Sequence, residues 1–259
     1  MSARRILTVE DDPVIAKILS LRLYKLGYSV LGNATSADDA FIMAVEANPD
    51  LVIMDIGLEG RANGIIAGKY LYHFFSKPIV FCTAYSGSKV VENAKQAMPL
   101  GFIVKPFNDK DLFNAIEFSL NAYNSYRPNN MTSSELQDLV NLDLSIMFLD
   151  TSGRIIYYNP YSEHITGIPY KKAFFMNIQK IIEYDHKSAI GYQNPSLFET
   201  IREVSAIGRP LDIVVKTLKS GKRKVLELNA RPRKDSHNNI IGYMIKLEED
   251  FVKTRALNQ

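Results

Sequence analysis

Polar side chains that could handle a phosphoryl group close four strand-like apolar runs of this chain, in a fixed order. Glu10, Asp11 and Asp12 follow the run from Arg4 to Val9. Asp55 closes Leu51-Val52-Ile53-Met54, and Thr83 closes Pro78 to Cys82. Lys105-Pro106 closes Gly101-Phe102-Ile103-Val104. If these runs are neighbouring parallel strands, the groups at their carboxyl ends meet in one crevice. Acids gathered there repel and raise one another's pKa unless a cation joins them. A hard, oxygen-preferring ion such as Mg²⁺ suits such a set and commonly bridges to phosphate. Thr83 and Lys105 then offer a hydroxyl and a positive charge to phosphoryl oxygens. The expected chemistry is transfer of a phosphoryl group to a carboxylate.

The elements around these residues alternate strand and helix. Apolar runs of four to six residues recur at 4–9, 28–32, 51–56, 78–84 and 101–104, separated by amphipathic stretches. Val14, Ile18, Leu21 and Leu26 mark the expected apolar face of the first helix, and Ala37, Ala40, Phe41 and Ala44 that of the second. Ser36 with Asp39 reads as a capping-box start. Asn108 with Asp111 opens the helix after the fifth strand, which continues through Phe113, Ile116 and Leu120. Five βα units with nearly continuous apolar strands predict a doubly wound parallel sheet covered on both faces.

This ordered set resembles the receiver domain of two-component response regulators over about residues 4–125. The resemblance implies a flavodoxin-like fold with Asp55 as phosphoacceptor. It implies Mg²⁺ held by Asp11, Asp12, Asp55 and the backbone carbonyl of Ile56, with Thr83 and Lys105 on the phosphoryl oxygens. Thr83 and Phe102 fall at the family's switch positions. Gly57 and Tyr85, two residues beyond Asp55 and Thr83, flank the path of the water that removes the phosphoryl group. The stretch from Asp55 to Ile65 resembles a subgroup of receivers but has Asn63 where Asp is common and no Pro in the loop. Taken residue by residue, the alternative is structural: Asp12 before Pro13 makes an ordinary helix cap with Pro at the first position.

The pattern changes near Tyr126-Arg127-Pro128-Asn129-Asn130. A polar linker over 127–134 is expected, with Thr132-x-x-Glu135 capping a new helix to about Leu142. Ile146–Leu149, the turn Asp150-Thr151-Ser152-Gly153 and Ile155–Tyr158 read as a hairpin. Asn159-Pro160 starts a short helix that stops at Gly167. Glu183-Tyr184-Asp185-His186 reads as a solvated helix start, and Ser196–Gly208 as a longer helix. Three antiparallel strands follow at Asp212–Leu218, Lys224–Ala230 and Ile240–Leu247. This α+β half, residues 135–250, resembles a PAS domain through Leu149-Asp150-x-x-Gly153-Arg154-Ile155-Ile156, Asn159, Thr166-Gly167 and Gly242-Tyr243. The expected division is therefore 1–126, a linker at 127–134, 135–250, and a short tail at 251–259 that contains Phe251, Val252 and Leu257.

Composition narrows the function further. The 259 residues are 46% apolar and 23% charged with a net charge of +3, so charge alone gives no argument for nucleic-acid binding. The one cysteine, Cys82, lies in the first half, which leaves no thiol for a flavin adduct in the second and no disulfide framework. His164, His186 and His237 lie away from the helix at Ser196–Gly208 where haem-binding relatives place a ligand, so neither haem nor flavin is expected. The basic set Lys216, Lys219, Lys222, Arg223, Lys224, Arg231 and Arg233 reads as a solvated hairpin. No apolar run reaches the roughly 18 residues that span a bilayer. The start of the chain lacks a secretion signal, and the expected compartment is the cytoplasm. The whole reads as a response regulator that receives a phosphoryl group from a histidine kinase and signals through a downstream protein. It is expected as a homodimer, without an enzymatic activity beyond its own phosphorylation and dephosphorylation. The alternative is a ligand-sensing PAS protein whose receiver half is a passive dimerisation module.

Overall fold

In a computed structural model, the chain is described at residues 3–84, 100–125, 144–185, 196–217, 223–235 and 237–257. Tyr85, the linker at 127–134, the helix expected from Glu135, His186 and the Lys219–Lys222 turn lie outside those residues. The chain divides into two compact units, residues 1–137 and 138–259.

The first unit alternates β1 (Arg5–Val9), α1 (Pro13–Lys25), β2 (Ser29–Ala34), α2 (Ala37–Ala47), β3 (Leu51–Asp55), α3 (Gly64–Phe75), β4 (Ile79–Thr83), β5 (Gly101–Val104) and α4 (Asp109–Ser125). The strands form one parallel sheet in the order β2-β1-β3-β4-β5. β3 and β4 are buried along their whole length, as strands covered on both faces must be. One face packs Ile6, Ile53, Val80, Cys82 and Ile103 against Leu19 and Leu23 of α1 and Leu112, Ile116 and Leu120 of α4. Local chemistry sets the helix starts. The Ser36 hydroxyl accepts from Asp39 N, and Asn63 Oδ1 accepts from Ile66 N. Asn108 and Asp111 bond each other's backbone N–H reciprocally, at 2.9 and 3.4 Å.

Two helices turn differently from the sequence reading. α1 buries Ala16, Leu19 and Leu23, whereas Val14, Ile18 and Leu21 are 65%, 44% and 60% exposed. The helix has two apolar faces, and periodicity alone does not say which one the sheet takes. In α4, Phe113 is exposed and Leu112 takes the core place beside Ile116.

The second unit runs β6 (Ser145–Asp150), β7 (Ile155–Tyr158), α5 (Pro160–Thr166), α6 (Tyr170–Ala173), a 3₁₀ turn (Ile178–Lys180), β8 (Ile182–Tyr184), α7 (Leu197–Ile207), β9 (Leu211–Thr217), β10 (Arg223–Lys234), β11 (Ile240–Glu249) and α8 (Phe251–Leu257). Its antiparallel sheet has the order β7-β6-β11-β10-β9-β8. Asn159 caps α5, which ends at left-handed Gly167. Glu183 and Tyr184, the first residues of the helix start expected at Glu183–His186, instead belong to β8, which pairs with β9 through Ile182↔Thr217. That pairing buries Ile182 and satisfies the edge of β9. No helix among the described residues is long and apolar enough to cross a membrane.

Candidate functional site

The sheet order brings the carboxyl ends of β1, β3, β4 and β5 side by side, with Val9 opposite Met54, Asp55 opposite Cys82, and Thr83 opposite Val104. Glu10 follows β1 and is 1% exposed, its backbone N donating to Ala34 O at 2.9 Å. Asp55 ends β3 and is 9% exposed. Lys105 reaches both, its Nζ donating to Glu10 Oε2 at 2.7 Å and to Asp55 Oδ2 at 3.0 Å. The Lys105 backbone N donates to Thr83 O at 2.8 Å, which ties the ends of β4 and β5 together. Gly57 N donates to Asp55 Oδ1 at 3.1 Å, so both oxygens of the carboxylate are oriented. Thr83 is buried at the same end of the sheet.

Burial holds the Glu10 carboxyl above its usual range, although Lys105 pulls the other way and Asp55 adds to the rise. Burial alone would lower the Lys105 pKa, but hydrogen bonds and charge from Glu10 and Asp55 outweigh it and the net direction is upward. The ammonium thus stays protonated beside Asp55. Cys82, one residue from Thr83, is pushed up to about 12 by burial and is a packed thiol.

Glu10, Asp11 and Asp55 each present a carboxylate oxygen, and these oxygens lie within 4.8 Å of one another. The donors are all oxygen and all anionic, the set that fits a hard divalent cation. Asp12, expected in the metal set, stands apart from this group. Its Oδ1 accepts from Val14 N at 2.8 Å and Ile15 N at 3.1 Å, capping α1 with Pro13 at the first position. The helix terminus claims this carboxylate because orphan N–H groups lie directly above it. Glu10 takes the inner position instead. The sequence carried a signal for both: Asp-Pro is a cap signature, and Glu10 is the residue that directly continues the buried strand. The Ile56 carbonyl, also expected as a ligand, accepts from Gly64 N at 3.4 Å.

Gly64 is a residue that the sequence reading passed over. A Cβ there would lie 1.8 Å from Asp55 O. Only glycine lets the first turn of α3 press against the peptide that carries Asp55. Phe102 on β5 is half-buried, its ring 5.8 Å from that of Phe81.

In the second unit the polar residues serve the fold. Asn159 Nδ2 donates to Leu144 O at 2.8 Å, while its Oδ1 accepts from Ile146 N and Ser162 N, both at 3.1 Å. The Ser162 hydroxyl joins this knot through Ser145 Oγ at 2.8 Å. Asp150 Oδ1 closes the β6–β7 turn by accepting from Ser152 N and Arg154 N, each at 2.8 Å. Tyr157, Tyr158, Tyr170 and Phe174 form an aromatic cluster with neighbouring centroids 5.5–5.8 Å apart. His164 and His237 are exposed. Of the basic strand residues, Lys216 pairs with Glu183 and Arg223 with Asp185 at the solvated surface, whereas Lys224 pairs with Glu249 where both side chains are mostly buried.

Comparison with known proteins agrees with this division. Residues 6–117 match the model of the response regulator receiver domain, and residues 136–248 that of the PAS fold. The transcriptional regulatory protein PdtaR of Mycobacterium tuberculosis is 37% identical over 120 residues, covering 46% of this chain and 58% of that protein. The phyllosphere-induced regulator PhyR of Methylorubrum extorquens is 32% identical over 119 residues, covering 46% of this chain and 44% of that protein. The chain thus spans about half the length of these two relatives. Among solved structures, the N-terminal domain of a response regulator/sensory box/GGDEF protein from Carboxydothermus hydrogenoformans is 30% identical, with a TM-score of 0.43 over 47% of this chain and 98% of that one. With an ordered acid–lysine crevice on a doubly wound sheet in one unit and a hydrogen-bonded hairpin-and-helix junction on an antiparallel sheet in the other, the chain carries a response regulator receiver domain over residues 6–117, followed by a PAS fold over residues 136–248.

Proposed function

We propose that this regulator takes a phosphoryl group on Asp55 and passes the change through its PAS domain to a protein partner. The observation that carries the reading is Lys105 Nζ bridging Glu10 and Asp55, with Asp11 completing an all-oxygen group at the crevice mouth. An Asp55 oxygen attacks phosphorus in line. The bond from phosphorus to the donor's imidazole nitrogen breaks, and the nitrogen keeps its electron pair and takes up a proton. Mg²⁺ held by Glu10, Asp11 and Asp55 would neutralise the charge that carboxylate and phosphoryl oxygens bring together. Lys105 leaves its carboxylate partners to meet a phosphoryl oxygen, and Thr83 offers its hydroxyl to another. Gly57 leaves room beside Asp55: a Cβ there would lie 3.7 Å from both carboxylate oxygens, in ordinary contact. That opening is the route for the water that ends the signal.

The phosphodonor is a histidine kinase, and α1 is the surface it meets. Asp12 starts α1 beside the crevice, and Val14, Ile18 and Leu21 run outward from there along an exposed face. The working unit is a cytoplasmic homodimer.

Incubation with acetyl phosphate and Mg²⁺ tests the reading. Wild type incorporates one phosphoryl group per chain and loses incorporation in EDTA, while Asp55→Asn incorporates none. Undiminished labelling of Asp55→Asn would remove Asp55 from the mechanism.

A further inference from the structure

Phe81 lies in the middle of β4, where alternate residues Ile79, Phe81 and Thr83 share one face of the sheet. The opposite face of the same strand, Val80 and Cys82, belongs to the core under α1 and α4. On its own side Phe81 is fully buried and meets α3 at Gly68. A Cβ at Gly68 would stand 2.8 Å from Phe81 Cζ and 2.9 Å from Cε1, closer than packed carbons approach. The glycine is therefore a notch, and the ring edge occupies it. Across the sheet, Phe81 is the register partner of Phe102 on β5, with the two rings tilted at 42°. Thr83 is two residues along the same face, roughly 7 Å away.

We propose that Phe81, seated in the Gly68 notch, is a positioning residue that sets where Phe102 can go. This rests on the reading of Asp55 as phosphoacceptor and of Thr83 with Phe102 as the switch. When the Thr83 hydroxyl turns toward a phosphoryl oxygen, the slot opened for Phe102 is bounded by the Phe81 ring. That ring can neither retreat, because α3 is behind it, nor be ignored, because interiors are close-packed and rearrange between discrete states. The width of the slot is thus fixed by how deeply Phe81 sinks into α3.

The proposal makes two substitutions act in opposite directions. Gly68→Ala fills the notch, drives Phe81 toward β5 and narrows the slot. Phe81→Leu shortens the wedge and widens it. The full chain, with ¹³C-labelled phenylalanine rings and Phe102→Leu to assign the signal, is followed by NMR with and without beryllofluoride. Wild type shifts its Phe102 signal on addition. Gly68→Ala is expected to keep acetyl-phosphate labelling of Asp55 but lose that shift. Phe81→Leu is expected to show Phe102 near its beryllofluoride position before any is added. Should Gly68→Ala not fold, Phe81→Leu still decides, because it removes volume and adds none. A Phe102 signal in Phe81→Leu identical to wild type at rest overturns the proposal. Failure of wild type itself to respond to beryllofluoride or to take up phosphate would overturn the reading of Asp55, while the resting comparison would still test Phe81.

Discussion

Lys77 is almost fully buried at the end of the sheet opposite the Glu10–Asp55–Lys105 crevice, its Nζ bonded to Asn48 Oδ1. Burial pushes its pKa down to about 8, with Asp50 opposing and Arg5 reinforcing the shift. Because the folded value lies below the ordinary 10.5, the ammonium is a burden on the fold below about pH 8. Stability from this group rises as pH climbs from about 8 toward 10.5, where the folded state has released a proton that the unfolded state still holds. Lys77→Met should therefore stabilise the receiver by on the order of 1–3 kcal/mol at pH 7 and by less at pH 9.5. Hydrogen exchange of the β4 amides measures it, and an equal gain at both pH values would refute the cause. Ser119 gives a second residue-level expectation. Its hydroxyl is buried without a hydrogen-bond partner among the described residues, 2.6 Å from where a Cβ on Gly101 would stand. Ser119→Ala should stabilise by about 1 kcal/mol, since it removes a desolvated polar atom from a tight approach. A loss of stability would show that an ordered water serves that oxygen. The acids can be separated in the same way. Asp12→Ala should cost about 1 kcal/mol through the lost cap, with Mg²⁺ affinity kept, whereas Asp11→Ala should lose the affinity and keep the fold. Equal Mg²⁺ titrations for the two variants would undo that division.

At the scale of elements, α1 shows why one apolar stripe is an incomplete guide. Leu19→Ala should cost about 2–5 kcal/mol because it opens a cavity under the sheet. Ile18→Ala, one residue earlier, should change stability by no more than about 0.5 kcal/mol. It should nevertheless slow phosphotransfer from a kinase while leaving acetyl-phosphate labelling intact. Slowing of both reactions equally would take α1 out of donor recognition. The same helix explains what the sequence could and could not disclose. Strand ends were legible because each polar residue closes a buried run, so Asp55, Thr83 and Lys105 stood out. The buried face of α1 was not legible, since Val14, Ile18 and Leu21 are as apolar as Ala16, Leu19 and Leu23. Asp12 caps α1 while Glu10 lies in the group with Asp11 and Asp55, because a helix terminus takes up the carboxylate that directly precedes it, and a run of three acids does not show in advance how that competition divides them. β8 was missed because three residues with one charge among them carry no period, and its partner β9 lies some thirty residues away.

For the whole molecule, the expectation is a homodimer that tightens on phosphorylation, with the change reaching the PAS domain. Chain entry into that domain is tied at Leu144, whose carbonyl accepts from Asn159, and at Ser145, which bonds Ser162. A shift in the segment leading to Leu144 would therefore load the start of both β6 and α5. Sedimentation with and without beryllofluoride reads the assembly, and hydrogen exchange at Ile146 and Ser162 reads the transmission. Unchanged mass together with unchanged exchange would mean that the two domains work independently. The strand order of the PAS sheet has one more consequence, for synthesis. β6 pairs with β11, Ser145 opposite Leu247 and Gly242 opposite Asp150, so an early strand must wait for nearly the last. The receiver sheet needs nothing beyond β5 and can close while the PAS domain is still unmade. On the ribosome the acid–lysine crevice should thus become protease-resistant well before the PAS domain exists, with the β6–β7 hairpin, still without β11, as the segment a chaperone would have to shield.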